Sequence, residues 1–335
     1  MNQTLSRNSI RSLRVSERSW PMKEPFAISR GTQTVAEVIV VELEQDGVVG
    51  RGEASGVPYA GETQRSMRQQ IEAVHLPMER GVTREQLLEL LPAGGARNAL
   101  DAALWDLEAG LSGVPAWQSA GVGRGGAITS AYTIGIRSIE GYERAAEALR
   151  DYAWIKIKVD GGDSVAAVSA VRRKAPNARF VVDANQAWSL QQLKHYGPIM
   201  ADLGVALLEQ PVRRGLDERI ADARGPVPVC ADESCATIDD IPYLVGRYDY
   251  VNIKLDKTGG LTSALRLADA ARRAGLRLMV GCMCGSSLAM APAAVLGQIC
   301  EVVDLDGPLL QSEDWPDGIV YDHGRMAPPW PGFWG

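Results

Sequence analysis

Seven times in the C-terminal two thirds of the chain, an apolar run ends in a distinctive, mostly charged residue. The series is Lys158, Asp183, Glu209, Asp232, Lys257, Cys282 and Asp304, at intervals of 25, 26, 23, 25, 25 and 22 residues. That interval is the length of one strand–helix unit. Eight strand-like runs can be read: ITSAYTIGI, WIKIKVD, RFVVDAN, VALLEQP, VPVCADES, YVNIKLDK, LRLMVGCM and EVVDLDGP. Helical patterns such as SVAAVSAVRRKAP and LTSALRLADAARRAG lie between them. Strand–helix alternation over eight strands predicts a parallel sheet closed into a barrel, whose strand C-termini converge on one face. An open doubly wound sheet is the alternative, but no Gly-x-Gly-x-x-Gly follows a strand.

Before this repeat the pattern is different. TVAEVIVVELEQDGVVGRGEAS reads as a hairpin turning at Asp46-Gly47. TREQLLELLP opens with Thr83 and Gln86 at capping-box spacing and stops at Pro92. ARNALDAALWDLEAGLSG is a long helix ending in glycine. Strands followed by helices predict a small α+β unit. The net charge of −6 gives no footprint for nucleic acid or an anionic membrane. No run is long enough to span a bilayer, and the first twenty residues lack the apolar segment of a signal peptide. The five cysteines form no Cys-x-x-Cys pair, so reduced thiols in the cytoplasm are expected. The three histidines are scattered, without metal-binding spacing.

The recurring polar residues carry the chemistry. Asp183, Glu209 and Asp232 come from consecutive strands. Three carboxylates brought together repel unless a cation lies between them or each finds its own Arg or Lys. An all-oxygen set without Cys or His suits a hard cation, Mg²⁺ first. Asn185 and Glu233 adjoin these ligands, as supporting groups or as exposed neighbours. Lys156 and Lys158 point the same way from one strand, about 7 Å apart. At an effective dielectric near 20 their repulsion is roughly 2–3 kcal/mol, about two pKa units. The expectation is a lysine near neutrality at physiological pH, as a general base requires. Lys257, on the sixth strand, lies across the barrel, so one base flanks each side of a substrate at the metal. Lys254 has a plainer reading as a carboxylate's partner.

The segments PFAISRG, ARNALDAALWDL, KIKVD, VVDANQAW, LLEQP, CADES, NIKLDKTGG, GCM and DLDGP together span nearly the whole chain. In them the sequence resembles the enolase superfamily, muconate-cycloisomerase-like branch, and within it the dipeptide epimerases of L-Ala-D/L-Glu type. The resemblance implies an α/β fold: a modified TIM barrel, (β/α)7β, under an α+β capping domain. The capping domain is expected at residues 1–122, the barrel at 123–310, and a tail at 311–335 that returns to the cap. Asp183, Glu209 and Asp232 become Mg²⁺ ligands, and Lys158 and Lys257 the two acid/bases. They exchange the α-proton of a dipeptide's C-terminal residue through an enediolate. Lys156 is expected to help hold the substrate carboxylate and to lower the pKa of Lys158. Asp304 and Asp306, alternating onto one strand face, are expected to bind the substrate ammonium, and Arg30 the glutamate side chain. Thr133, Cys282 and Met283 are further substrate contacts. GCMCGSS departs from the family pattern at Cys284 and Gly285, and GVPYAGET reads as a lid or a plain turn. The partner implied is a small dipeptide from cell-wall turnover, with neither nucleic acid nor membrane; a homo-oligomer is left open. The competing readings are an o-succinylbenzoate synthase or muconate cycloisomerase of the same superfamily, and a non-catalytic binding protein.

Overall fold

The computed structural model describes residues 11–123, 125–330 and 332–335. The chain opens with an antiparallel sheet of β1 (Ser12–Ile28), β2 (Gly31–Gln45) and β3 (Val48–Ala54), in that order. The β2–β3 turn is Asp46-Gly47 at φ 53° and 80°. Positive φ at both central residues gives the turn the right twist for a hairpin. β1 escapes the sequence reading because its exposed charges blur the alternation and its pairing shifts register between Pro21 and Phe26.

Helix Gly95–Ser112 lies against β3. Gly50 and Gly52 allow this approach, because a Cβ at Gly52 would collide with Ala99 O and one at Gly50 with Ala103 O. Gly52→Ala is therefore expected to destabilise the protein by about 1–3 kcal/mol through overpacking, read as a lower urea midpoint. The expected capping box is present at helix Arg84–Leu90. Gln86 N–H donates to Thr83 Oγ1 at 3.3 Å, and Thr83 N–H to Gln86 Oε1 at 3.0 Å.

The second sheet is the parallel barrel. Its strands are β5 (Tyr132–Ile134), β6 (Trp154–Lys158), β7 (Arg179–Asp183), β8 (Val205–Glu209), β9 (Val229–Ala231), β10 (Tyr250–Ile253), β11 (Arg277–Gly281) and β12 (Val302–Asp304), ordered in space as in sequence. Ala131 N–H donates to Val303 O at 2.8 Å, linking the first and last strands. The run read as one strand from Ile128 divides in two. β4 (Ile128–Thr129) pairs with the C-terminal hairpin of β13 (Tyr321–Asp322) and β14 (Arg325–Met326), and only β5 enters the barrel. Ser130 makes the break by giving its N–H to Gly324 O.

Inside the barrel Val181, Leu207, Cys230, Met279 and Val302 pack into an apolar floor. A strand shows the same face every second residue. Two positions after these residues come Asp183, Glu209, Asp232, Gly281 and Asp304. A mostly charged layer thus sits directly above a dry one, at the strand C-termini.

Candidate active site

Parallel register builds the site. Lys158 pairs with Asp183, and Asp183 with Glu209. Asp232 follows β9 by one residue, on the strand beside β8. All three carboxylates are at most 1 % exposed. Lys156 Nζ stands among them, 3.1 Å from Asp183 Oδ2, 2.8 Å from Glu209 Oε2 and 2.8 Å from Asp304 Oδ2. Lys158 Nζ lies 2.6 Å from Asp183 Oδ2 and 3.0 Å from Asn185 Oδ1. Across the barrel, Asp232 takes Lys254 on Oδ2 at 2.8 Å and Lys257 on Oδ1 at 2.7 Å. β6 and β10 are four positions apart in the eight-stranded sheet, so Lys158 and Lys257 approach from opposite walls.

Several expectations change here. Lys257 is not on a strand: β10 stops at Ile253, and Lys257 lies in the single turn Leu255–Thr258, ended by Gly259 at φ 72°. Repulsion between the paired strand lysines does not bring Lys156 toward neutrality. Burial is the largest influence on Lys257 and opposes its charged form, but Asp232, Tyr59 and Cys235 together outweigh it and raise the pKa. Burial likewise opposes charge on Lys156, and Asp304, Glu209 and Asp183 overcome it. Lys156 Nζ is thus held among three carboxylates. Asp304 and Asp306 do not share one strand face, because β12 ends at Asp304. Asp304 faces Lys156 and Thr133 Oγ1 (3.3 Å), while Asp306 accepts Thr133 N–H at 2.6 Å. Burial and then Asp304 push Asp306 up to about 7. Cys282 and Met283 are half-buried just past β11. Burial, followed by Asp304 and Asp306, raises the Cys282 thiol well above its ordinary range.

Arg30 is bonded to Glu233, whose Oε1 also lies 3.4 Å from Asn185 Nδ2. The 56–63 loop, read as a lid or a turn, is tethered. Gly56 N–H donates to Asp256 Oδ1 (2.8 Å) and Val57 N–H to Glu62 Oε2 (2.7 Å). Burial raises Asp256 to about 7, against an ordinary 3.8. The folded form therefore holds its proton where the unfolded chain has lost it, and stability falls as pH rises from about 4 to 7. Asp256→Asn keeps an acceptor for Gly56 and is expected to flatten this fall, read from urea midpoints at pH 5 and pH 8.

Sequence reading missed the residues that orient the carboxylates. Gln210, at φ 34°, accepts Asp232 N–H (2.9 Å) and Ser234 N–H (3.1 Å), and donates to Ser234 Oγ and Tyr248 Oη. Asn252 Nδ2 donates to Glu209 Oε1 at 2.8 Å. The available signal was LLEQP, a glutamine directly after an acidic strand end. Gln210→Ala is expected to weaken divalent-cation binding 10–100-fold, measured by titration calorimetry, because it frees the Asp232 backbone.

Among the described residues no three His, Cys, Asp or Glu side chains form a ready metal cage. Lysine amines lie between the carboxylates instead. The donor set nevertheless fits a hard cation. It is all oxygen, and Glu209 Oε2, though 2.8 Å from Lys156 Nζ, lies outside hydrogen-bond geometry and has no hydrogen-bond partner. Burial and then Asp183 raise Glu209 to about 7, the mark of a carboxylate short of positive charge. A cavity of about 540 Å³ between Tyr132, Glu24 and helix Ile139–Ala148 is lined by none of the clustered carboxylates and lysines.

Residues 10–121 match the mandelate racemase/muconate lactonizing enzyme N-terminal domain, and residues 141–333 the enolase C-terminal domain-like family. The chain is 40% identical to the L-Ala-D/L-Glu epimerase of Escherichia coli K12, over 95% of this chain and 99% of that protein. It is 43% identical to an N-acetyl-D-glutamate racemase from Pseudoalteromonas, over 85% of this chain and 91% of that one. A solved enolase-family protein from Agrobacterium tumefaciens, with homology to dipeptide epimerases and bound sodium and L-Ala-L-Glu, superposes with a TM-score of 0.95. It is 39% identical and covers 97% of this chain and 100% of its own. With its barrel, its capping sheet and acidic strand ends faced by two lysine-bearing walls, the chain belongs to the mandelate racemase/muconate lactonizing enzyme group of the enolase superfamily.

Proposed function

We propose that the protein is a Mg²⁺-dependent epimerase acting on the C-terminal residue of a dipeptide, L-Ala-D/L-Glu first. The observation that carries this reading is the set of three buried carboxylates on adjoining strands with Lys158 and Lys257 on opposite walls. Asp183, Glu209 and Asp232 would hold the ion. When bound, Mg²⁺ supplies positive charge against the substrate carboxylate as the α-proton leaves. The chain's own residues do the rest. One lysine, neutral, takes the α-proton from one face, and the other, protonated, delivers a proton to the opposite face. Lys257 Nζ lies 2.7 Å from Asp232 Oδ1, so the same carboxylate that would hold the ion also positions this amine. Lys156 stays between Asp304 and the ligand carboxylates, and Asp306, beside Thr133, is the acidic group placed for the substrate ammonium. The likeness to epimerases acting on L-Ala-D/L-Glu supports the substrate class.

Residues 1–122 then act as the cap, 123–310 as the barrel and 311–335 as a tail returning to the cap. Trp334 Nε1 donating to Arg51 O (3.0 Å) and Gly335 N–H to Asp106 Oδ1 (2.8 Å) support this division. The same reading places the enzyme in cytoplasmic turnover of cell-wall peptides. All five cysteines are free, and no helix among the described residues is long and apolar enough to cross a membrane.

A second reading, racemisation of an N-acylated glutamate, is favoured by Asp304: Lys156 already compensates its charge, which lessens its draw on an ammonium. The test follows α-deuterium incorporation from D₂O into L-Ala-L-Glu and N-acetyl-L-glutamate, with Mg²⁺. Faster exchange of the dipeptide is expected. Exchange of the acylated amino acid alone selects the second reading, and exchange of neither removes both.

A further inference from the structure

Lys158 and Lys257 are held in different ways. Lys158 sits on β6, which is hydrogen-bonded on both sides, to β5 and to β7. Lys257 sits in the single turn Leu255–Thr258, and the capping domain grips that turn on either side of it. Just before Lys257, Asp256 Oδ1 accepts Gly56 N–H at 2.8 Å. Just after it, Arg97 of helix Gly95–Ser112 donates from Nη2 to Thr258 O at 2.7 Å and from Nε to Gly259 O at 3.0 Å. The last carbonyls of a helical turn have no partner within it, and Arg97 supplies one. Arg97 also donates to Leu91 O (3.1 Å) and Ser263 Oγ (3.2 Å). These four acceptors are neutral, and Arg97 is only 8 % exposed. Burial opposes its charge, and Asp101, one turn along the helix, offsets that only in part. What a guanidinium offers in such a costly place is a rigid fork that spans two successive carbonyls. Gly259 and Gly260 make room for it. A Cβ at Gly259 would lie 2.5 Å from Arg97 Nε, and one at Gly260 2.5 Å from Asp101 Cβ.

We infer that Arg97 is a positioning residue for one of the two acid/bases: from the capping domain it fixes the turn that carries Lys257, and with it the face of the α-carbon that Lys257 serves. The inference rests on the epimerase reading and adds that the two proton transfers depend on different parts of the fold. Lys158 is set by the barrel sheet, Lys257 by the junction of cap and barrel. Arg97 acts through the Thr258 and Gly259 carbonyls, while Lys257 Nζ has its own acceptors in Asp232 Oδ1 (2.7 Å) and Asn252 O (2.9 Å). A reacting group misplaced by about 1 Å loses about 10²-fold in rate.

The test follows initial α-deuterium incorporation from D₂O, with Mg²⁺, into L-Ala-L-Glu and L-Ala-D-Glu separately. It compares wild type, Lys257→Ala, Arg97→Ala and Arg97→Lys. Lys257→Ala marks the epimer that Lys257 deprotonates. Arg97→Ala is expected to slow exchange of that epimer about 10–100-fold, mainly in kcat, and to leave the other within about twofold. Arg97→Lys keeps the charge but loses the fork. It is expected to show the same one-sided loss at about 3–10-fold, and it carries the test where Arg97→Ala does not fold. Mg²⁺ affinity, titrated separately, is expected to stay unchanged in both Arg97 variants. An equal loss on both epimers in folded protein, no loss on either, or a loss confined to the epimer that Lys158 serves would overturn the inference and leave the epimerase reading in place. A wild type that exchanges neither epimer removes that reading itself, and this inference with it.

Discussion

Lys257→Ala is expected to lower epimerisation of L-Ala-L-Glu at least 10³-fold and to leave α-proton exchange with only one of the two epimers. A positioned acid/base contributes about 10²–10⁴-fold, and epimerisation needs both. Lys158→Ala should give the mirror result, exchanging the other epimer. The two amines enter from β6 and from the turn after β10, four strands apart, so each reaches one face of a planar α-carbon. Mixing each variant with L-Ala-L-Glu and L-Ala-D-Glu in D₂O and following the glutamyl α-proton by NMR separates the faces. Loss of exchange with both epimers in both variants would mean that the lysines act as one unit. Unchanged exchange would remove them from the chemistry.

Asp232→Asn should be the most damaging change to stability as well as to metal binding. Asp232 compensates two buried amines, Lys254 at 2.8 Å and Lys257 at 2.7 Å. Lys254 has no other salt-bridge partner within 4 Å among the described residues. Removing one side of a buried ion pair costs about 3–5 kcal/mol, because the remaining charge is stranded away from water. Urea unfolding without added metal is expected to show that loss, and Mg²⁺ titration a decrease of more than 100-fold. Asp232→Asn unfolding like wild type while binding Mg²⁺ normally would show that neither the lysine pairing nor the ligand role holds.

The barrel was legible because its signal is periodic. Asp183, Glu209 and Asp304 close their strands, with Asp232 one residue beyond β9, as the spacing implied. What the sequence hid is local and depends on who pairs with whom. Lys156 and Lys158 read as a repelling pair, but parallel register sets Lys158 beside Asp183, and the barrel brings Asp304 round to Lys156. Those carboxylates come from other strands, so counting along one strand misjudges the charge balance. Lys257 moved from strand to turn because β10 is only four residues long. β1 went unread because an edge strand with exposed charged residues lacks the apolar alternation of a buried one. Gln210 and Asp256 give no periodic signal, since their work is to satisfy backbone N–H groups from distant segments. The tether on the 56–63 loop was invisible for the same reason: Asp256 is 200 residues from Gly56.

The proposed chemistry needs one arrangement, a divalent ion among three carboxylates with an amine on either side of the substrate carbon. Crystals grown with Mn²⁺ in place of Mg²⁺ and soaked with L-Ala-L-Glu test it by anomalous scattering. A single strong peak is expected between Asp183, Glu209 and Asp232, with Lys158 Nζ and Lys257 Nζ on opposite faces of the glutamyl α-carbon. A peak outside those carboxylates, or both amines on one face, would contradict the account.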